Sequence, residues 1–208
     1  MLAGLLQIFA LLILANDEPG IRLEAARRAH DLPAVQQLIV DLELLAEKDK
    51  SALPRETLAR AYLLEVELLE GEPKELREKS ARKGLDIAHG LDESSAKWLV
   101  IMGLQLALGK LEAAREAMEK AEELDPGNNR LLLAKAKLHW QQEKGSPEAA
   151  EKIRSYLDQL LEAEPTLESA LLLRAKALYA LGEVELARKD LAAVYRWNPD
   201  AKIPLKQN

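Results

Sequence analysis

The sequence predicts an all-α protein built from stacked helix pairs. Three observations carry this. Ala, Leu, Glu, Lys and Arg dominate a chain that is 48% hydrophobic and 31% charged, with aromatics at only 4%, which is the vocabulary of helices. Alternating runs of strand formers are missing. A turn signal recurs at Asp31, Gly71, Gly109, Gly145 and Gly182, at spacings of 40, 38, 36 and 37 residues, and periods of that size mean repeated helix hairpins.

The elements follow in order. Apolar periodicity and Gly/Pro punctuation place helices at 20–30, 33–48, 54–70, 74–89, 93–108, 111–123, 129–143, 147–163, 167–181 and 183–196. Glycine suits the turn inside a hairpin because a helix often ends on a residue with positive φ. Proline, two residues after Asp31, Gly71 and Gly145, suits the first turn of the next helix, where its missing N–H is not needed. A second punctuation closes hairpins at LDPGN (124–128), AEPTL (163–167) and WNPDA (197–201). The repeat region runs from 20 to 199. The tail 200–208, with a second proline, is expected to be extended.

Residues 1–15, MLAGLLQIFALLILA, hold no charged side chain and are followed by the polar NDEPG. As a helix they would rise about 22 Å, short of the ~30 Å hydrocarbon core. That length suits a signal-peptide core, with Ala15 before a cleavage site, although no Lys or Arg precedes the apolar run. The segment is read as a signal peptide or membrane anchor, which places the repeats outside the cytoplasm, exported, periplasmic or membrane-attached. The alternative is an apolar first helix of a cytoplasmic protein.

The net charge of -6 and the interspersed Lys, Arg, Glu and Asp give no basic face, so nucleic acid is not expected as a partner. There is no cysteine, which excludes disulfides, thiolate metal sites and Cys nucleophiles. His30, His89 and His139 are read as helix-end or polar-face residues lacking a second histidine or carboxylate one turn on. They are not expected to bind metal. DPGNN is read as a turn and not a phosphate loop, and no serine stands in a nucleophile-elbow context. No enzyme activity, metal or cofactor is expected.

The hairpins resemble tetratricopeptide repeats. Trp98, Gly109, Ala114, Met118, Ala121 and Pro126 fall on that family's large, turn, small and proline places. Leu171, Ala175, Gly182, Ala187, Leu191 and Pro199 do the same, with Val194 replacing one alanine. Met102 stands where a small residue belongs. The unit closed by Pro165 fits less well, through Ile153, Leu157 and Leu160, and the two N-terminal hairpins keep only the periodicity. The resemblance implies a right-handed superhelical solenoid of about five antiparallel hairpins, in which Ala114 and Ala121 let helices approach while Met118 and Leu191 fill between them.

It also implies that the first helix of each hairpin lines a concave groove. Its lining would include Arg130, Leu133, Lys137, Trp140 and Gln141 in one unit and Leu172, Lys176 and Tyr179 in the next. Trp and Tyr offer rigid contact area, and Lys137 and Lys176 could hold acidic groups of a protein or peptide. A subclass that grips a C-terminal carboxylate with Lys and Asn is not implied, because Leu133 and Leu172 stand where its lysine would. The expected function is a non-enzymatic interaction scaffold or adaptor that assists assembly of a membrane or envelope complex. The alternative is a permanent accessory subunit whose residues 1–15 are retained against partner helices.

Overall fold

The computed structural model describes residues 19–48, 52–143 and 146–197. The apolar segment 1–15, the turn glycine Gly145 and the tail 200–208 lie outside the described residues. Ten helices, and no strand, are present among the described residues. They are α1 (Pro19–Ala29), α2 (Leu32–Lys48), α3 (Ala52–Leu68), α4 (Lys74–His89), α5 (Ser95–Ala107), α6 (Leu111–Leu124), α7 (Arg130–Glu143), α8 (Pro147–Ala163), α9 (Glu168–Ala180) and α10 (Val184–Trp197). The chain divides into two compact units, Met1–Asp92 and Glu93–Asn208.

The hairpin turns are cut as the punctuation requires. Gly71, Gly109 and Gly182 all have positive φ, at 98°, 71° and 77°. After α5, Gly109 N–H donates to Leu106 O and Lys110 N–H to Gln105 O. After α9, Gly182 and Glu183 repeat this toward Tyr179 and Leu178. The paired bonds absorb carbonyls that the helix end leaves without partners. The first hairpin uses the same pair of bonds, but the left-handed residue is His30, at φ 49°, and not Asp31. Asp31 instead starts α2, where its Oδ1 accepts from Ala34 N–H at 3.0 Å. Ser94 and Ser146 cap α5 and α8 in the same way, accepting from Lys97 and Ala149 N–H, as expected of helix N-termini.

In the first unit, α1 packs on α2 and α3 on α4, and α3 also meets α1 and α2. Val35, Leu38, Ile39 and Leu42 of α2 meet Leu58, Ala61 and Tyr62 of α3 and Leu23 and Ala26 of α1. In the second unit the hairpins are α5–α6, α7–α8 and α9–α10, joined through α6–α7 and α8–α9. The core is an i, i+4, i+7 stripe on α8, Ile153, Leu157 and Leu160, each fully buried, packed against α7, α9 and Val194 of α10. Burying each such side chain contributes about 1.5–3 kcal/mol. Alanines make the close approaches. Ala114, Ala121, Ala175 and Ala187 are all at zero exposure, Leu191 is buried beside Ala187, and Met118 is half-buried. Met102, despite its size, is also buried.

The helix order has a consequence for function. The first helices of the three hairpins, α5, α7 and α9, touch one another in sequence. They form one continuous surface within the second unit.

Candidate functional site

The residues expected to line a groove fall on α7 and α9. Their periodicity puts them on one face of each helix, but not at one depth. Leu133 is 8% exposed and belongs to the core. Trp140 and Leu172 are half-buried, with their inner sides packed on that core, and Tyr179 packs on the smaller cluster of Ala175, Leu178, Ala187 and Leu191. Lys137 and Lys176 are half-buried, while Gln141 is exposed. Arg130 is exposed and already committed, since its guanidinium donates to Glu164 Oε2 at 2.8 Å. The face is apolar and aromatic around Trp140, Leu172 and Tyr179, and Lys137 and Lys176 stand half-buried on it. Leu99, Gly103 and Leu106 of α5, all half-buried, extend it.

This face is held in place by ion pairs that sequence reading missed. Behind Leu172 and Lys176, Arg174 of α9 makes a two-pronged contact with Asp190 of α10, Nε to Oδ2 at 2.8 Å and Nη2 to Oδ1 at 2.7 Å. Its Nη1 reaches Asp158 of α8 at 2.7 Å. Asp190 holds the Arg174 guanidinium more firmly charged than usual, against the opposing effect of burial, and Asp158 adds to this. One side chain therefore sets the rotation of α9 against both neighbours. Arg154 of α8 similarly bonds Glu183 in the α9–α10 turn at 2.6 Å, and Lys135 of α7 bonds Glu122 of α6 at 2.7 Å. A signal for the first network was present. Asp190 lies on the same helix stripe as Ala187, Leu191 and Val194, and an acid on a buried stripe requires a partner.

The first unit holds a comparable triad. Tyr62 Oη donates to Glu43 Oε1, and Lys83 Nζ lies 3.2 Å from both oxygens. The groups come from α3, α2 and α4. Burial first, and then the Glu43 carboxylate, push the Tyr62 phenol up to about 12. The phenol bond, outweighing desolvation, holds Glu43 below its ordinary value.

The reading of the histidines needs two corrections. His89 has acids three and four residues on, Asp92 and Glu93, although both lie beyond the end of α4. His139 does have a carboxylate one turn on, since its Nδ1 is 3.0 Å from Glu143 Oε1 and its ring stacks on Tyr156 at 5.9 Å. The pair joins α7 to α8. Among the described residues no three His, Asp or Glu side chains converge as a metal set. In DPGNN, Asn128 Oδ1 accepts from Arg130 N–H and its amide donates to Ser95 Oγ, so the turn caps α7 and ties it to α5. Trp98 is half-buried, with Nε1 donating to Glu93 and Lys120 Nζ lying 4.2 Å from its ring centre.

Residues 104–128 match the tetratricopeptide repeat. The matched stretch takes in the last turn of α5, the Gly109 turn, all of α6, and Pro126. It includes Ala114, Met118 and Ala121, whose packing is described above. No curated protein matches the chain. The α5–α6 turn and helix are thus similar to a tetratricopeptide repeat, a module that generally binds protein partners.

Proposed function

We propose that the protein is a non-enzymatic scaffold that holds a protein or peptide segment against the α5–α7–α9 face. It is exported or membrane-attached through residues 1–15 and serves assembly of a membrane or envelope complex. One observation supports the binding face above all. Trp140, Leu172 and Tyr179 stand half-open beside Lys137 and Lys176 on touching helices. On α6, by contrast, every exposed residue before Leu124 is charged, whereas α10 exposes Val184, Leu186 and Tyr195. Half-buried aromatics on a firm support are the usual centre of an interface, and the lysines favour a partner with acidic groups. No described helix is long and apolar enough to cross a membrane, so attachment rests on residues 1–15.

The test is affinity purification of the tagged full-length chain from its native cells, beside Lys137→Glu/Lys176→Glu. A partner recovered with the first and lost with the second, at unchanged melting temperature, supports the face. A partner retained by the charge-reversed chain contradicts it. Retention at fixed stoichiometry would favour the permanent-subunit reading. The intact mass of the N-terminus decides between cleavage and anchoring.

A further inference from the structure

The first hairpin exposes apolar side chains where α6 exposes charge. Val40 and Leu44, one turn apart on α2, are 49% and 51% exposed, and Ile21 in the first turn of α1 is 64% exposed. From Leu32 to Leu44, no exposed residue of α2 carries a charge. Nearby charges are paired, Arg22 with Asp41 at 2.8 Å and Arg28 with Glu24 at 3.2 Å.

The Arg22–Asp41 contact also fixes the level of α1 against α2. One turn beyond it, at the end of the hairpin where α1 starts, stand Pro19 and Leu44. The apolar patch therefore lies beside the point at which the chain arrives from residues 1–15. Only Asn16, Asp17 and Glu18 intervene, and the steps from Ala15 to Pro19 span at most about 14 Å.

We propose that this face of α1 and α2 rests on a lipid bilayer surface, with Ile21, Val40 and Leu44 set among the headgroups and upper acyl chains. The inference rests on the reading of residues 1–15 as membrane-attached. The tether then holds Ile21 within reach of the interface. A segment too short to span comfortably gains from a second apolar contact, as short anchors generally do. Glu47 and Lys48, exposed in the next turn of α2, form the polar rim.

The chain has no cysteine, so single fluorophores can be placed through Leu6→Cys, Val40→Cys, Leu44→Cys and Glu119→Cys in the full-length protein. Each is reconstituted with phosphatidylcholine–phosphatidylglycerol vesicles and exposed to lipid-borne nitroxide or aqueous iodide. The expected result is nitroxide quenching at 6, 40 and 44, and iodide quenching at 119. Val40→Asp/Leu44→Asp, at exposed positions, should lower vesicle partitioning about tenfold. If 6 is quenched by nitroxide while 40 and 44 stay as open to iodide as 119, the inference fails and the anchor reading stands. If 6 is not quenched by nitroxide, both fail. If 40 and 44 are shielded from both quenchers, protein covers the patch and the inference is overturned.

Discussion

Removing Asp190 tests whether α9 is held as described. In Asp190→Ala the two-pronged partner of Arg174 disappears, while the guanidinium remains. The Asp190 side chain is 8% exposed and that of Arg174 22%, so water replaces the lost bonds only in part. Breaking a fully buried pair costs about 3–5 kcal/mol. Arg174 keeps Asp158, itself 51% exposed, and some solvent, which lowers the expectation to about 2–3 kcal/mol. The melting temperature should fall by roughly 6–10 °C. Asp158→Ala removes the more open contact and should cost under about 1 kcal/mol. Arg174→Met/Asp190→Leu, which removes both charges and fills the space, should recover most of the loss. Chemical denaturation followed by circular dichroism reads all three. A cost below about 0.5 kcal/mol for Asp190→Ala, the range of ordinary surface changes, would refute the claim that this network fixes α9.

Other outcomes follow from the packing. Ala114→Leu should cost about 1–3 kcal/mol, because Ala114 has zero exposure between α5 and α6 and no room for added carbons; unchanged denaturation would mean that the repeat is misaligned there. Gly182→Ala should cost about 1–2 kcal/mol through its φ of 77° alone, since nothing lies within 4 Å of the added carbon; a neutral result would mean that the turn rearranges. The Tyr62 phenol should ionise near 12, read as the phenolate absorbance lost in Tyr62→Phe. Glu43→Gln should bring it part of the way down, because burial is the larger cause. Since its folded value is raised above the ordinary 10, its contribution to stability is complete below pH 10 and is lost as pH rises toward 12. Glu43 runs the opposite way. Its contribution is complete above pH 4.5 and is lost on acidification below it.

Local chemistry made the helices legible. The expected 74–89 and 147–163 coincide with α4 and α8 because Pro and Gly or Ser mark their ends. The turn glycines at 71, 109 and 182 carry the positive φ expected of them. The first hairpin was misjudged by one residue, since an Asp before Leu-Pro reads equally as a turn or as a cap, and His30 took the left-handed place. Depth was harder to read than face. The repeat resemblance aligned Leu133 with Lys137 and Trp140, but only packing from α8 and α9 buries Leu133. The ion networks were hidden because their partners are distant in sequence. Arg174 lies 16 residues from both Asp158 and Asp190, and Lys83 lies 40 from Glu43. His139 and Glu143 needed only the i, i+4 rule.

The central claim is that the face carrying Trp140, Lys176 and Tyr179 is the one that meets a partner. Photo-crosslinking from position 179 of the full-length protein in its native cells, with mass spectrometry of the adduct, tests it most directly. The account predicts a discrete protein adduct from 179 and none from Glu119, which is exposed on the opposite, charged helix α6. An adduct from 119 with none from 179 would contradict it and move the interface to the outer helices.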